Sequence, residues 1–288
     1  MAKNANKNLV KIKLRNSLNY CNSHHIPAQQ LFEDLVDEMV TPASCLYDYD
    51  LRAKEMKSLF PVLLNSETEA IIPSIPLKEP LLDLEAEEFL KVWMGKWIAK
   101  FLVEWKSLPS DHEADPKKTV TDRALINMVM STCHAGGLER AEEWAAHHNL
   151  YMSAENVGGN LLEEYIASKT SSYGWIWCRG KILTAIDFCN FDCTSMFQVK
   201  NKTNTENSSG KGFREACGAR VRCRMRAELR NGTIETYWDD LISIIKSGAA
   251  PGLNVPDDLM SENEYLDFVK DVAERNPNII TEREGNFI

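Results

Sequence analysis

Asp187, Gln198 and Lys200 are the residues whose types and spacing best suit chemistry on a phosphodiester. A carboxylate and an amide oxygen are hard donors of the kind that hold a divalent cation such as Mg2+. An ammonium group beside them can position or deprotonate a water and offset the charge that grows in the transition state. Glu163 is a further candidate metal ligand. Its neighbour Glu164 is the alternative, since only one of two adjacent helical residues can face a given cleft. As a bare pattern, an aspartate followed at some distance by Gln-x-Lys arises often by chance. Its weight depends on the elements around it.

Those elements are readable in outline. The runs 182–188 and 195–200 are short, apolar and rich in β-branched residues, which predicts two strands, and the small polar residues 189–194 between them predict an antiparallel return. Side chains alternate along a strand, so Gln198 and Lys200 share a face and can meet Asp187 on the neighbouring strand. Upstream, Gly158 and Gly159 predict a loop, followed by a short helix carrying Glu163 and Glu164. The span 83–105 places Phe89, Trp93, Trp97, Phe101 and Trp105 at helical spacing and reads as a core helix. Further helices are expected over 121–133, 138–148, 234–246 and, from the capping box Ser261-x-x-Glu264, 261–275. His147 and His148 read as surface residues near a helix end. The polar stretch 107–118 contains Pro109 and Pro116 and suits a linker, which divides the chain into a helical N-terminal region, 1–115, and a catalytic domain, 116–288.

The net charge is −9, so the chain is not basic overall, but a polyanion responds to a local face. Cations are concentrated after the proposed site, from Lys200 to Arg230. In this segment Lys202, Asn204, Asn207, Ser208, Ser209, Lys211 and Arg214 have side chains that suit contact with base edges and phosphates of double-stranded DNA. Arg220, Arg222, Arg224 and Arg226 fit equally well the wet face of an amphipathic strand. No apolar run approaches the roughly 18 residues that span a bilayer, and the first residues lack an apolar leader, so a cytoplasmic protein with no membrane partner is expected. Eight cysteines in 288 residues are too sparse for a disulfide scaffold. They also lack the CxxC knuckles of a zinc module, which leaves such a module as a weaker alternative.

Taken together, residues 154–166, 185–187 and 197–200 resemble the PD-(D/E)xK nuclease superfamily, and within it the type II restriction endonucleases. The resemblance covers about 154–226. It implies an α/β fold with a central mixed sheet flanked by helices, Mg2+-dependent cutting that leaves 5′-phosphate and 3′-hydroxyl ends, and a homodimer reading a palindrome. The polar segment after Lys200 is similar to that of enzymes cutting GGNCC-like or GGWCC-like sites. Two departures stand out: Ile186 occupies the place of the motif's proline and Gln198 that of its acid. The second removes a charge from the metal site, for which Glu163 or Glu206 would compensate. A DNA-binding regulator built on an inactive nuclease core is the alternative that Gln198 keeps open.

Overall fold

The computed structural model describes residues 2–45, 47–113, 122–133, 136–203 and 208–280, with the side chains of 2–5, 208 and 209 excepted. The chain forms two compact units, one comprising 1–107 with 167–259 and the other 108–166 with 260–288.

The first unit begins with α1 (Ala2–Ser23), α2 (Ala28–Met39), α3 (Tyr49–Ser58), α4 (Pro61–Leu64) and α5 (Ala86–Glu104). α5 buries Phe89, Leu90, Trp93, Met94, Trp97, Ile98, Phe101 and Leu102, too many to lie on one stripe, which makes it a central helix rather than a surface one. α1 and α2 pack against it. The Trp97 ring sits between those of Phe32 and Trp93, at 5.6 and 5.5 Å between centroids.

The described strands of this unit are β1 (Trp175–Trp177), β2 (Phe188–Asn190), β3 (Met196–Lys202) and β4 (Arg220–Met225), in that spatial order. β1 and β2 pair antiparallel, as do β2 and β3, whereas β4 runs parallel to β3. The sheet is therefore mixed, as expected. α9 (Trp238–Ser247) buries Trp238, Leu241, Ile242 and Ile245, and its Ile245 carbonyl accepts the Trp175 indole N–H.

The strand expected over 182–188 is much shorter. Only its last residue joins β2, because the backbone before it is used elsewhere. The Trp97 indole N–H donates to the Ile182 carbonyl at 3.0 Å, and the Thr184 N–H donates to the Ile71 carbonyl at 2.7 Å. The Lys100 ammonium donates to the carbonyls of Gly180 and Lys181. Ala185 has φ +60°, which breaks extended geometry outright. Ile182 and Leu183 are fully buried, so their apolar character records packing rather than pleating.

A buried ion pair braces the same unit. Arg52 and Glu55 meet at 2.6 Å on α3, and the guanidinium lies 3.8 Å from the centroid of the Trp105 ring. Burial pushes the Glu55 carboxyl up to about 8 even though Arg52 pulls it down. Replacing Arg52 by Met would leave the carboxyl without its partner. Urea unfolding of Arg52→Met is expected to show a loss that grows as the pH rises through about 8 and reaches about 3–5 kcal/mol once the wild-type carboxylate is fully ionised. A loss of less than half that would mean that the ion pair contributes little.

The second unit contains α6 (Arg123–Thr132), α7 (Leu138–Thr170) up to Ile166, and α10 (Glu262–Arg275). Asp122 caps α6 by accepting from Ala124 N–H, and Ser261 caps α10 by accepting from Glu264 N–H. α7 runs unbroken through Gly158 and Gly159, where a loop was expected. Two glycines cost about 1 kcal/mol each in a helix. Burial of Leu161 with Val272 and Ile279, alongside Val157, Phe268 and Val269, offsets that cost. His147 and His148 are exposed, as expected, but in mid-helix.

The segment expected to be a linker is structured where it is described. Ser110 is buried, and its carbonyl and that of His112 accept from Asn276 Nδ2. By contacts, residues 108–166 group with 260–288. The N-terminal helices share a unit with the sheet because α5 packs on the segment that leads into β2.

Candidate active site

Asp187 immediately precedes β2, and its backbone is held on both sides. Its N–H donates to the Phe197 carbonyl at 3.1 Å, and its carbonyl accepts from Cys178 N–H at 2.8 Å. The side chain is fixed as well, since Val199 N–H donates to Asp187 Oδ2 at 2.9 Å. The irregular segment therefore still delivers the aspartate to the middle of β3.

Burial pushes the Asp187 carboxyl up to about 6. The Val199 N–H, the Lys200 ammonium, the Gln198 amide and the Arg214 guanidinium all pull it back down, without overcoming burial. A carboxylate in this state is under-compensated, and a cation beside it would restore the ionised form. Asp187 thus fits the role of metal anchor. Among the described residues, no group of three or more His, Cys, Asp and Glu side chains is arranged to hold a metal ion. A cation here would rest on Asp187 together with neutral oxygens.

Gln198 and Lys200 lie on β3 with the alternation expected. Gln198 is aligned with Val221 and Lys200 with Cys223 across the parallel pair, and Lys200 is close enough to pull the Cys223 thiol down against burial. The other face of the same two strands carries Asn201 and Arg224, joined at 3.3 Å. Arg220 and Arg222 alternate onto that face too, so the arginine row of β4 does not flank Lys200.

The Gln198 oxygen does not present the free donor that the spacing suggests. Arg214 Nη1 donates to Gln198 Oε1 at 2.8 Å, and both side chains are buried, at 6% and 9% exposure. Arg214, expected on a DNA-facing surface, is instead inside the site. It comes from α8 (Ser208–Ala216), a helix where the sequence suggests a polar contact segment. The signal that could have pointed to it was Gln198 itself, an amide where the resembling motif has an acid.

The other expected site residues are dispersed. Glu164 is buried in the second unit, accepting from the Ser110 hydroxyl at 2.6 Å and Ser110 N–H at 2.9 Å. Its carboxylate is committed to that turn. Glu163 lies on the same helix in the same unit. Lys202 ends β3 on the Lys200 face. Lys211 is exposed and lies 3.8 Å from Glu215. Ser208 and Ser209 open α8, and their side chains, like Asn204, Glu206 and Asn207, fall outside the described residues.

The sequence model of the SinI restriction endonuclease family matches residues 102–261, which include every candidate catalytic residue. The chain is 33% identical over 163 residues to the type II restriction enzyme Eco47I of Escherichia coli, covering 54% of this chain and 63% of that protein. It is 36% identical over 104 residues to the type II restriction enzyme SinI of Salmonella infantis, covering 35% of this chain and 45% of that protein. The chain thus spans less than two thirds of the length of either relative.

Proposed function

Because this chain belongs to the SinI restriction endonuclease family, we propose that it is a site-specific DNA endonuclease that hydrolyses phosphodiester bonds. The convergence of Asp187, Gln198 and Lys200 at the junction of β2 and β3 carries this reading. Region 116–288, which holds all of these residues, is the catalytic part.

Asp187 would hold the cation, and Mg2+, a hard ion suited to oxygen donors, is the one proposed. Glu163 remains the acidic candidate that α7 offers, because Glu164 is committed to Ser110. When bound, a divalent cation supplies charge neutralisation on the phosphate and acidifies a water. Lys200 would orient the attacking water and counter the charge on the phosphoryl oxygens. Gln198 holds the Asp187 carboxylate in place. The products would be a 5′-phosphate and a 3′-hydroxyl.

Lys202, Asn204, Asn207, Ser208, Ser209 and Lys211 are the proposed DNA contacts. Palindromes of the GGNCC or GGWCC kind are the proposed sites, read by a homodimer. Among the described residues, no helix is long and apolar enough to cross a membrane.

Incubating the protein with plasmid DNA and Mg2+, then sequencing the fragment ends, tests the reading. Discrete ends within one short motif are expected. Retarded but uncut DNA would replace the reading with a DNA-binding regulator, and stoichiometric zinc without DNA binding would replace it with a zinc module.

A further inference from the structure

We propose that Arg214 is a positioning residue of this catalytic centre and that it explains why position 198 is a glutamine. The inference rests on the endonuclease reading and adds to it a residue outside the motif. Arg214 takes the Gln198 oxygen at 2.8 Å in a buried setting. With the oxygen turned to Arg214, the amide presents its NH2 group to Asp187. The guanidinium therefore settles the amide's orientation, which would otherwise be free to flip. Glutamine has the polarity needed between these neighbours, accepting from a cation on one side and donating to a carboxylate on the other. A glutamate at 198 could do only the first. It would pair with Arg214, withdraw the hydrogen bond to Asp187 and set two carboxylates side by side.

The backbone around Arg214 is shaped for this contact. Gly210 lies one turn before it on α8. A Cβ at 210 would overlap Arg214 Nη1 and sit 3.0 Å from the Ala185 Cβ. The guanidinium thus passes over a position that only glycine leaves open. The same glycine lets α8 approach the turn that ends at Asp187. Gly210→Ala would displace the guanidinium without removing its charge.

The test compares wild type with Arg214→Lys, Arg214→Gln, Gly210→Ala, Gln198→Glu and the double variant Gln198→Glu/Arg214→Gln. Three quantities are measured: cleavage kinetics on a plasmid with Mg2+, affinity for the cleaved sequence in EDTA at several salt concentrations, and Ca2+ affinity of the protein alone by calorimetry. The Arg214 and Gly210 variants are expected to lower kcat by about 10- to 100-fold and to weaken Ca2+ binding. KM and metal-free DNA affinity should stay within about twofold. Gln198→Glu should lower kcat even though it restores the motif's acid, and adding Arg214→Gln should cost little more in the double variant, because both changes break the same Arg214–Gln198–Asp187 chain.

The proposal is overturned if Arg214→Gln weakens metal-free DNA binding in step with cleavage and flattens its salt dependence by about one unit, the mark of a lost phosphate contact. It is also overturned if the effects at 198 and 214 are additive, or if Gln198→Glu cuts as well as wild type. A wild type that neither cuts nor binds DNA overturns the endonuclease reading and this proposal together. Failure confined to the variants overturns the Arg214 role alone.

Discussion

Asp187→Asn is expected to abolish DNA cleavage, by a factor of about 10³ or more, while leaving the fold more stable at neutral pH. The loss follows from removing the anionic oxygen proposed to anchor the cation, whose contribution to charge stabilisation is several kcal/mol. The gain in stability follows from the direction of the Asp187 shift. Its carboxyl is raised to about 6 in the fold from an ordinary 3.8. A carboxyl raised by folding contributes most below the unfolded value, and that contribution is lost as the pH climbs through the folded value. Asparagine carries no charge and still accepts the Val199 N–H. The variant should therefore match wild type near pH 4 and exceed it above about pH 6, by on the order of 1–2 kcal/mol after allowing for residual solvent contact. Thermal unfolding across that pH range, with plasmid cleavage in parallel, checks both halves. If Asp187→Asn still cuts, or is less stable than wild type at pH 8, Asp187 does not have the proposed role.

Lys200→Met is expected to lower kcat by about 10²–10⁴ while duplex binding in EDTA remains measurable. The ammonium group is the only cation on β3 beside both Asp187 and Gln198, and methionine replaces its stem at similar volume. Lys200→Arg should not restore the rate, because a planar guanidinium cannot occupy the same compact position as the ammonium. Single-turnover cleavage separates this effect from binding. If Lys200→Met lost DNA affinity and rate in equal measure, the ammonium would be a phosphate contact rather than part of the chemistry.

Both predictions depend on residues that sequence alone could select, and the reason is local. Alternation on a strand places Gln198 and Lys200 on one face whatever the rest of the fold does. The return at 189–194 brings Asp187 alongside them, so the candidate centre is separated by little more than one hairpin. The α10 cap at Ser261 and the apolar face of α5 are legible for the same reason: each depends on a hydrogen bond or a periodicity within one element.

Sequence by itself thus determined the α/β character, the core helix α5, the capped starts of α6 and α10 and the choice of Asp187, Gln198 and Lys200 as candidates. The tertiary structure decided the rest, because those features depend on groups far apart in the chain. Segment 182–187 is not a strand because Trp97 and Ile71 claim its backbone. Gly158 and Gly159 do not break α7 because burial against α10 outweighs their propensity. Glu164 is withdrawn from candidacy by Ser110, and Arg214 is drawn into the centre by Gln198 across 16 positions of sequence. A buried hydrogen bond between distant residues leaves no period and no spacing to read, and only packing makes it favourable.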